Sequence, residues 1–528
     1  MLLLNGQAVT CRKEEILLRK RKANVRYTVT SIILVILVAV FAWTLKHKEQ
    51  KAGPQTLAEQ GNELNQTGEA DPGIQEPPAE SPEGQPSETQ PQEPPAEPEP
   101  ELPPQAAGEE EIEAQRASFV TDYESAPLLN TTPIKYLTMQ QGGSPGEVNF
   151  NWFSPSGAKG QVVLYEVSGG DTQTIQAQTA ASATEAGFYY NKAQVTGLKE
   201  NTTYAYKVGN GDGWSPEYRF TTKNFSGDFS FVVTSDAQIG QSQNEEIQTT
   251  IDNWDKVVSR VVKYMPDAAF LVHLGDQVAG YNDPEHYQGF FEHLGLYTMP
   301  LVPVVGNHDV DCWDSGGGPW FYERYYVPNR SKIGCNWADT DGDYWFRYGN
   351  VLFMVLNTNT VYPKDCHEEF VRQVCEMNPD VTWKIILEHY PAYSSVQKYQ
   401  DMCAGNRGTF AYMAKNYGID LYLSGHDHAY TRTAIMNGDC ETLGDYDYES
   451  GSVAQDPAGT LYMTTGTASG CIYQPIAENY AAVKQGQPEA LTAMRVDVTD
   501  TTLKLTTYLM DSWQVYDEYT LEKTAGKP

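Results

Sequence analysis

Five apolar runs in this chain each lead into residues that can bind a hard or borderline metal ion. FSFVVTSD ends on Asp236, AAFLVHLGD on Asp276, LVPVVGNHD carries Asn307, WKIILEH ends on His389, and IDLYLSGHDH carries His426 and His428. A lone Asp after a strand is ordinarily a turn or a helix cap. Five such ends in succession, with Gly275, Gly306 and Gly425 directly before three of the candidate ligands, point to one shared purpose. In α/β sheets ligands collect just beyond the carboxyl ends of the strands, so distant strand ends can meet in one place. The two histidines of GHDH are two apart, which puts both side chains on one side of an extended segment. Carboxylate, amide oxygen and imidazole suit Fe, Mn and Zn alike, while the absence of any CxxC pair speaks against a thiolate zinc site.

The elements that must position these residues are legible in the same stretch. After Phe225 strand runs alternate with helical patterns, which is the rhythm of a sheet with helices outside it. Ile247, Ile251, Trp254, Val257, Val258, Val261 and Val262 are spaced for one buried helical face from about Glu245 to Tyr264. Ahead of this region, from about Thr131 to Thr222, VNFNWF, GQVVLYEV, FYYNKAQV, TYAYKVG and EYRFTT are short alternating runs split by turn residues, and they predict an all-β sandwich. The last stretch, AMRVDVTDTTLKLTTYLMDSWQVYDEYTLEK, reads as a β-meander closing the second layer of the catalytic sandwich. DTDGDYW reads as a turn into the strand YWFRYGN, since the other ligand positions of a calcium loop are missing.

In their order along the chain, SDAQ, GDQ, GNHD, the His389-Tyr390-Pro391 element and GHDH resemble the five blocks of the calcineurin-like metallophosphoesterase superfamily. The sandwich ahead of them looks like the fibronectin type III-like domain of purple acid phosphatases and of similar bacterial phosphoesterases. The resemblance implies an α/β fold of four layers (α/β/β/α) over 225–523, behind a sandwich over 131–222. It also implies metal-dependent hydrolysis of phosphate esters, mono- or diesters, with hydroxide on a metal pair as nucleophile. Carried over residue by residue, Asp276 bridges the two ions, Asp236 and His428 complete one site, and Asn307, His389 and His426 complete the other. His308 is the candidate general acid, because imidazole is poised near neutral pH, with Asp309 to orient it; support of the neighbouring ligand is the alternative. Arg432 and Arg407 either reach a substrate phosphate or lie solvated. Two positions depart from the pattern: Gln238 stands where most members have a His, and Ala279 where purple enzymes have their tyrosine, with Tyr281 out of register.

Composition bounds the rest. A formal charge of −32 over 528 residues excludes a general polyanion binder, because such affinity comes from Lys and Arg neutralising phosphates; no specific nucleic-acid binding is expected. Residues 1–26 form a basic leader, and 27–45 are almost wholly apolar and long enough for one membrane span. By the positive-inside rule the leader is cytoplasmic and the rest of the chain extracytoplasmic. Such a segment either anchors the protein in the cell membrane or is a signal whose cleavage secretes it. Residues 46–117, rich in Pro and Glu, cannot bury enough surface to offset chain entropy and read as a disordered stalk. Eight cysteines leave two readings: bridges such as Cys366 with Cys375 or Cys440 with Cys471, or buried free thiols. A rival from a different class is a cell-surface adhesion protein whose phosphoesterase domain has degenerated through Gln238.

Overall fold

A computed structural model of the chain describes residues 127–129, 132–241, 246–310, 318–331, 343–359, 364–470 and 472–524. The leader, the apolar run 27–45 and the stalk 46–117 lie outside the described residues. Among the described residues no helix is long and apolar enough to cross a membrane.

Phe229–Thr234 is an aromatic and β-branched run buried along its whole length, as a central strand of a sheet covered on both faces must be. It pairs in parallel with Ala268–His273, which pairs in parallel with Leu301–Pro303. These three strands deliver Asp236, Asp276 and Asn307 to the same edge. The helix linking the first two strands, Ile247–Tyr264, buries Trp254, Val257, Val258, Val261 and Val262 as its periodicity requires. The next crossover helix, Pro284–Phe291, starts where Asp283 accepts from the Glu285 N–H with Pro at the first turn.

A second sheet runs Tyr344–Tyr348, Val351–Val355, Trp383–Leu387, Leu421–Ser424, Leu461–Thr464, Tyr430–Thr433 and Ala482–Gly486 in spatial order. Its strands Val351–Val355, Trp383–Leu387 and Leu421–Ser424 are mutually parallel, so His389 and the pair His426 and His428 emerge from one edge. The two sheets meet through aromatic rings. Phe231 lies edge-on to Phe353 at 5.2 Å between centroids, and Phe270 edge-on to Phe346 at 5.5 Å; each such burial contributes about 1.5–3 kcal/mol. The far face of the second sheet, with Leu352, Met354, Ile386 and Tyr422, packs on Phe370, Val371 and Val374 of the helix Lys364–Met377 and on Phe410 and Met413 of the helix Gln400–Tyr417. Helix, sheet, sheet and helix make up the four expected layers.

The sandwich over 131–222 shares a sheet with the region that follows it. Its strand Lys135–Gln141 pairs in parallel with Leu301–Pro303 at Gln140↔Leu301, so one 11-stranded sheet runs through both regions. The Tyr206 hydroxyl, which donates to the Tyr297 carbonyl at 2.8 Å, ties the sandwich's other sheet to the same region. The C-terminal meander does not close the second sheet. Thr492–Val498 pairs antiparallel with Phe229–Thr234 and extends the first sheet, because that strand has an unfilled edge. Finally, Cys375 and Cys440 carry free thiols, so neither proposed bridge forms. Cys366 and Cys375 sit nine residues apart in one helix, a rise of about 13.5 Å that no disulfide spans.

Candidate metal centre

The backbone at the strand ends is held where only a specific need would keep it. Asp236 (φ 53°), Gln238 (36°), Asp276 (53°), His426 (71°) and His428 (51°) account for five of the thirteen non-glycine residues with positive φ among the described residues. Each such residue costs on the order of 1–3 kcal/mol and persists only where its surroundings over-determine it. The glycines beside them allow close approach. A Cβ on Gly306 would fall on the Asp276 amide nitrogen and Oδ1, and one on Gly425 would fall on the Ser235 hydroxyl and Asp236 Oδ2.

The side chains meet in two halves. In the first, one ligand atom each from Asp276, His389 and His426 lies within 4.8 Å of the others. Here His389 Nε2 is 3.3 Å from Asp276 Oδ1 and 3.1 Å from Asn307 Oδ1, and His426 Nδ1 is 3.3 Å from His389 Nε2. In the second half His428 Nε2 lies 3.4 Å from Asp236 Oδ1. The halves are joined where the His426 N–H donates to Asp236 Oδ2 at 2.9 Å, and Ser235 Oγ donates to the same oxygen at 2.5 Å. His389 is turned by its Nδ1, which donates to the Leu274 carbonyl at 2.8 Å and leaves Nε2 for the centre.

Two buried atoms bear on whether a metal fits. Among the described residues Asp236 Oδ1 and His426 Nε2 have no hydrogen-bond partner, a costly state that a bound cation relieves. The donor set is oxygen and imidazole nitrogen around carboxylates, and it fits Fe, Mn or Zn.

The electrostatics follow from that crowding. Burial works against charge on His389, but the Asp276 carboxylate outweighs it and holds the imidazole up at about 9. Burial opposes ionisation of Asp276 too, yet the His389 charge beside it and the His308 N–H drive its carboxyl far below the usual range. Burial and the neighbouring His389 depress His426 to about 3.

Beneath the centre His273 ends its strand, fully buried, edge-on to Trp254 and Phe290 at 5.3 and 5.2 Å, with neither ring nitrogen partnered among the described residues. Burial pushes it down to about 3 against the pull of Asp236 and Asp276. Because its folded pKa lies below its unfolded value of about 6.5, the unfolded chain binds more protons between those values. The stability that neutral His273 supplies is therefore full above about 6.5 and lost as pH falls toward 3. His273→Phe should flatten that decline, which urea unfolding midpoints at pH 7.5 and 4.5 would read; an unchanged pH dependence would contradict it.

Asp309 does not reach the His308 ring. The His308 N–H donates to Asp276 Oδ1 at 2.8 Å, and its Nδ1 faces the Ala279 carbonyl at 2.8 Å. It is that carbonyl, not Asp309, that orients the ring. Asp309 instead takes the N–H groups of Asp276, Gln277 and Gly306 at 2.9, 2.8 and 2.8 Å, pinning the Asp276 turn to the Asn307 turn. The reason is direction: following a positive-φ turn on the neighbouring strand, four backbone amides, that of Val278 included, converge on the one buried carboxylate. Gln238 Nε2 donates to Asp276 Oδ2 at 2.9 Å, so its amide serves the carboxylate. Arg432 is buried in an ion pair with Asp517, Nε to Oδ2 at 2.7 Å, and Arg407 donates to the Ala392 carbonyl over the Tyr393 ring. Tyr281 packs edge-on to Trp320 at 5.8 Å.

Sequence reasoning missed Asp427 and Tyr399. Asp427 accepts from Ser394 Oγ at 2.9 and 2.8 Å and from the Ser395 N–H at 3.1 Å, so the segment after His389 is tied to GHDH. Its place inside the motif was the available signal; Tyr399 offered none.

Residues 229–430 match the family model described as calcineurin-like phosphoesterase, and 135–222 match purple acid phosphatase, N-terminal domain. The chain is 23% identical over 316 residues to a phosphoenolpyruvate phosphatase of Allium cepa, covering 57% of this chain and 60% of that protein. It is 23% identical over 275 residues to purple acid phosphatase 1 of Ipomoea batatas, covering 49% and 56%. With Fe(3+)-Zn(2+) purple acid phosphatase 12 of Arabidopsis thaliana it shares 22% over 351 residues, 61% of this chain and 71% of that one. The chain thus spans less than two thirds of the first two relatives. The fold matches that of a purple acid phosphatase from yellow lupin seeds with a TM-score of 0.60, 19% identity and 75% of each chain covered.

Proposed function

We propose that this chain, which belongs to the calcineurin-like phosphoesterases and carries the N-terminal domain of purple acid phosphatases, hydrolyses phosphate esters at a centre of two metal ions. The observation that carries this reading is the convergence of Asp236, Asp276, Asn307, His389, His426 and His428, with two buried ligand atoms that have no hydrogen bond among the described residues. With metal bound, Asp236 and His428 would hold one ion and Asn307, His389 and His426 the other, with Asp276 shared between them. Such a pair supplies charge to the phosphoryl oxygens and acidity to the attacking water.

The chain's own residues do the rest. The Asp309 clamp fixes the two turns that present Asp276 and Asn307, so the site is ordered before substrate arrives. His308, with one ring N–H held on the Ala279 carbonyl, offers the other nitrogen's proton to the leaving oxygen when the imidazole is charged. Gln238 donates its amide N–H to Asp276, and only its amide oxygen is a ligand atom for an ion. With Ala279 at the tyrosine position, the colour of purple enzymes is not expected. The basic leader and the apolar run 27–45 support a site of action outside the cytoplasm, on a membrane anchor or secreted.

The test is hydrolysis of a chromogenic phosphomonoester and diester by the full chain, stripped with a chelator and then reloaded with Mn, Zn or Fe. Activity lost on stripping and restored by metal is expected for at least one substrate; equal activity before and after would refute the reading.

A further inference from the structure

A metal-binding imidazole needs something to fix its ring, since the torsion that turns the ring is broad and roughly two-fold. His389 has the Leu274 carbonyl on its Nδ1, the ordinary solution in which the second nitrogen is hydrogen-bonded. His426 has no such partner among the described residues: Nδ1 lies against His389, and Nε2 is buried and unpartnered. What it has instead is two aromatic rings. Tyr390 lies at 4.5 Å between centroids with an interplanar angle of 58°, and Tyr399 at 4.3 Å with 41°.

Tyr399 is carried to that position by a braced segment. Asp427, the residue after His426, holds Ser394 and Ser395, and the Gln397 N–H donates to the Pro475 carbonyl at 3.0 Å. The Tyr399 N–H then closes on the Val396 carbonyl at 3.0 Å. Lys398 places its ammonium 4.5 Å from the centre of the Tyr399 ring. The GHDH turn therefore holds the segment whose last ring returns to hold a histidine of that turn.

We propose that Tyr399, with Tyr390, is the positioning residue for His426, setting the ring's angle by aromatic packing in place of the hydrogen bond that sets His389. This rests on the reading of His426 as a ligand to one of two ions. A clamp of this kind acts on the ion that His426 would hold, because both rings pack on the His426 ring. It depends on the ring and not on the hydroxyl.

The experiment is equilibrium dialysis of the chelator-stripped full chain against Zn2+, with metal counted by elemental analysis, for the wild type, Tyr399→Phe and Tyr399→Leu. Expected are two ions in the wild type and an unchanged result for Phe. Leu should weaken one of the two ions by about tenfold or more, as loss of an orienting partner does, with the melting temperature of the stripped protein unchanged. Wild-type affinity for both ions in the Leu variant would overturn the proposal. So would an equal weakening of both ions together with a lower melting temperature in the stripped protein, the mark of a merely structural role. A wild type that takes up no zinc would instead overturn the two-ion reading beneath it.

Discussion

Replacing Asp276 by Asn is expected to lower kcat/KM by about 10³-fold or more at saturating metal, equivalent to roughly 4 kcal/mol of transition-state stabilisation. The substitution is nearly isosteric, so the turn at φ 53° and the N–H from His308 survive. What disappears is the negative charge shared between the two ions. It also sets an amide where Oδ2 now accepts from Gln238 Nε2. The loss cannot be blamed on a protonated ligand. The Asp276 charge is what holds His389 up against its burial, so without it the imidazole is more readily neutral and more ready to bind metal. Steady-state kinetics across a metal titration would check this; activity within tenfold of the wild type would remove Asp276 from the bridging position.

His308→Ala is expected to separate substrates by their leaving groups. General acid catalysis contributes about 10²–10⁴-fold, and it matters most where the departing oxygen is a strong base. An alkyl phosphomonoester should lose that range in kcat, whereas a nitrophenyl ester, whose phenolate leaves unaided, should lose far less. The geometry favours this because the Ala279 carbonyl takes Nδ1 and leaves the other ring nitrogen for substrate. Equal losses on both substrates would mean that the His308 ring is not the proton donor to the leaving oxygen, since the backbone N–H it gives Asp276 is kept in the Ala variant.

The candidate ligands at the strand ends were legible because ligation constrains residue type. Asp, Asn and His at successive carboxyl ends have few other reasons to recur, and the glycines mark where a Cβ would enter the site. The helix Ile247–Tyr264 was legible because its buried face repeats at helical spacing. Adjacency in sequence, by contrast, carries no direction. Asp309 follows His308 but its carboxylate turns back to four backbone amides. The continuity of the sandwich with the catalytic sheet rests on Gln140 meeting Leu301, a long-range pairing with no local signature. Arg432 looked available for phosphate until the strand Gln514–Glu522 supplied Asp517 beside it. Tyr399 could not be singled out, since a tyrosine in a polar stretch reads alike as surface or packing.

The central claim is that six side chains from five strand ends hold two ions, with Asp276 common to both. Elemental analysis of the metal carried by the purified full chain and by its Asp276→Asn variant tests it most directly. The account predicts two ions per chain in the wild type and the loss of at least one in the variant; a metal-free wild type that still hydrolyses phosphate esters, or a variant that keeps both ions, would contradict it.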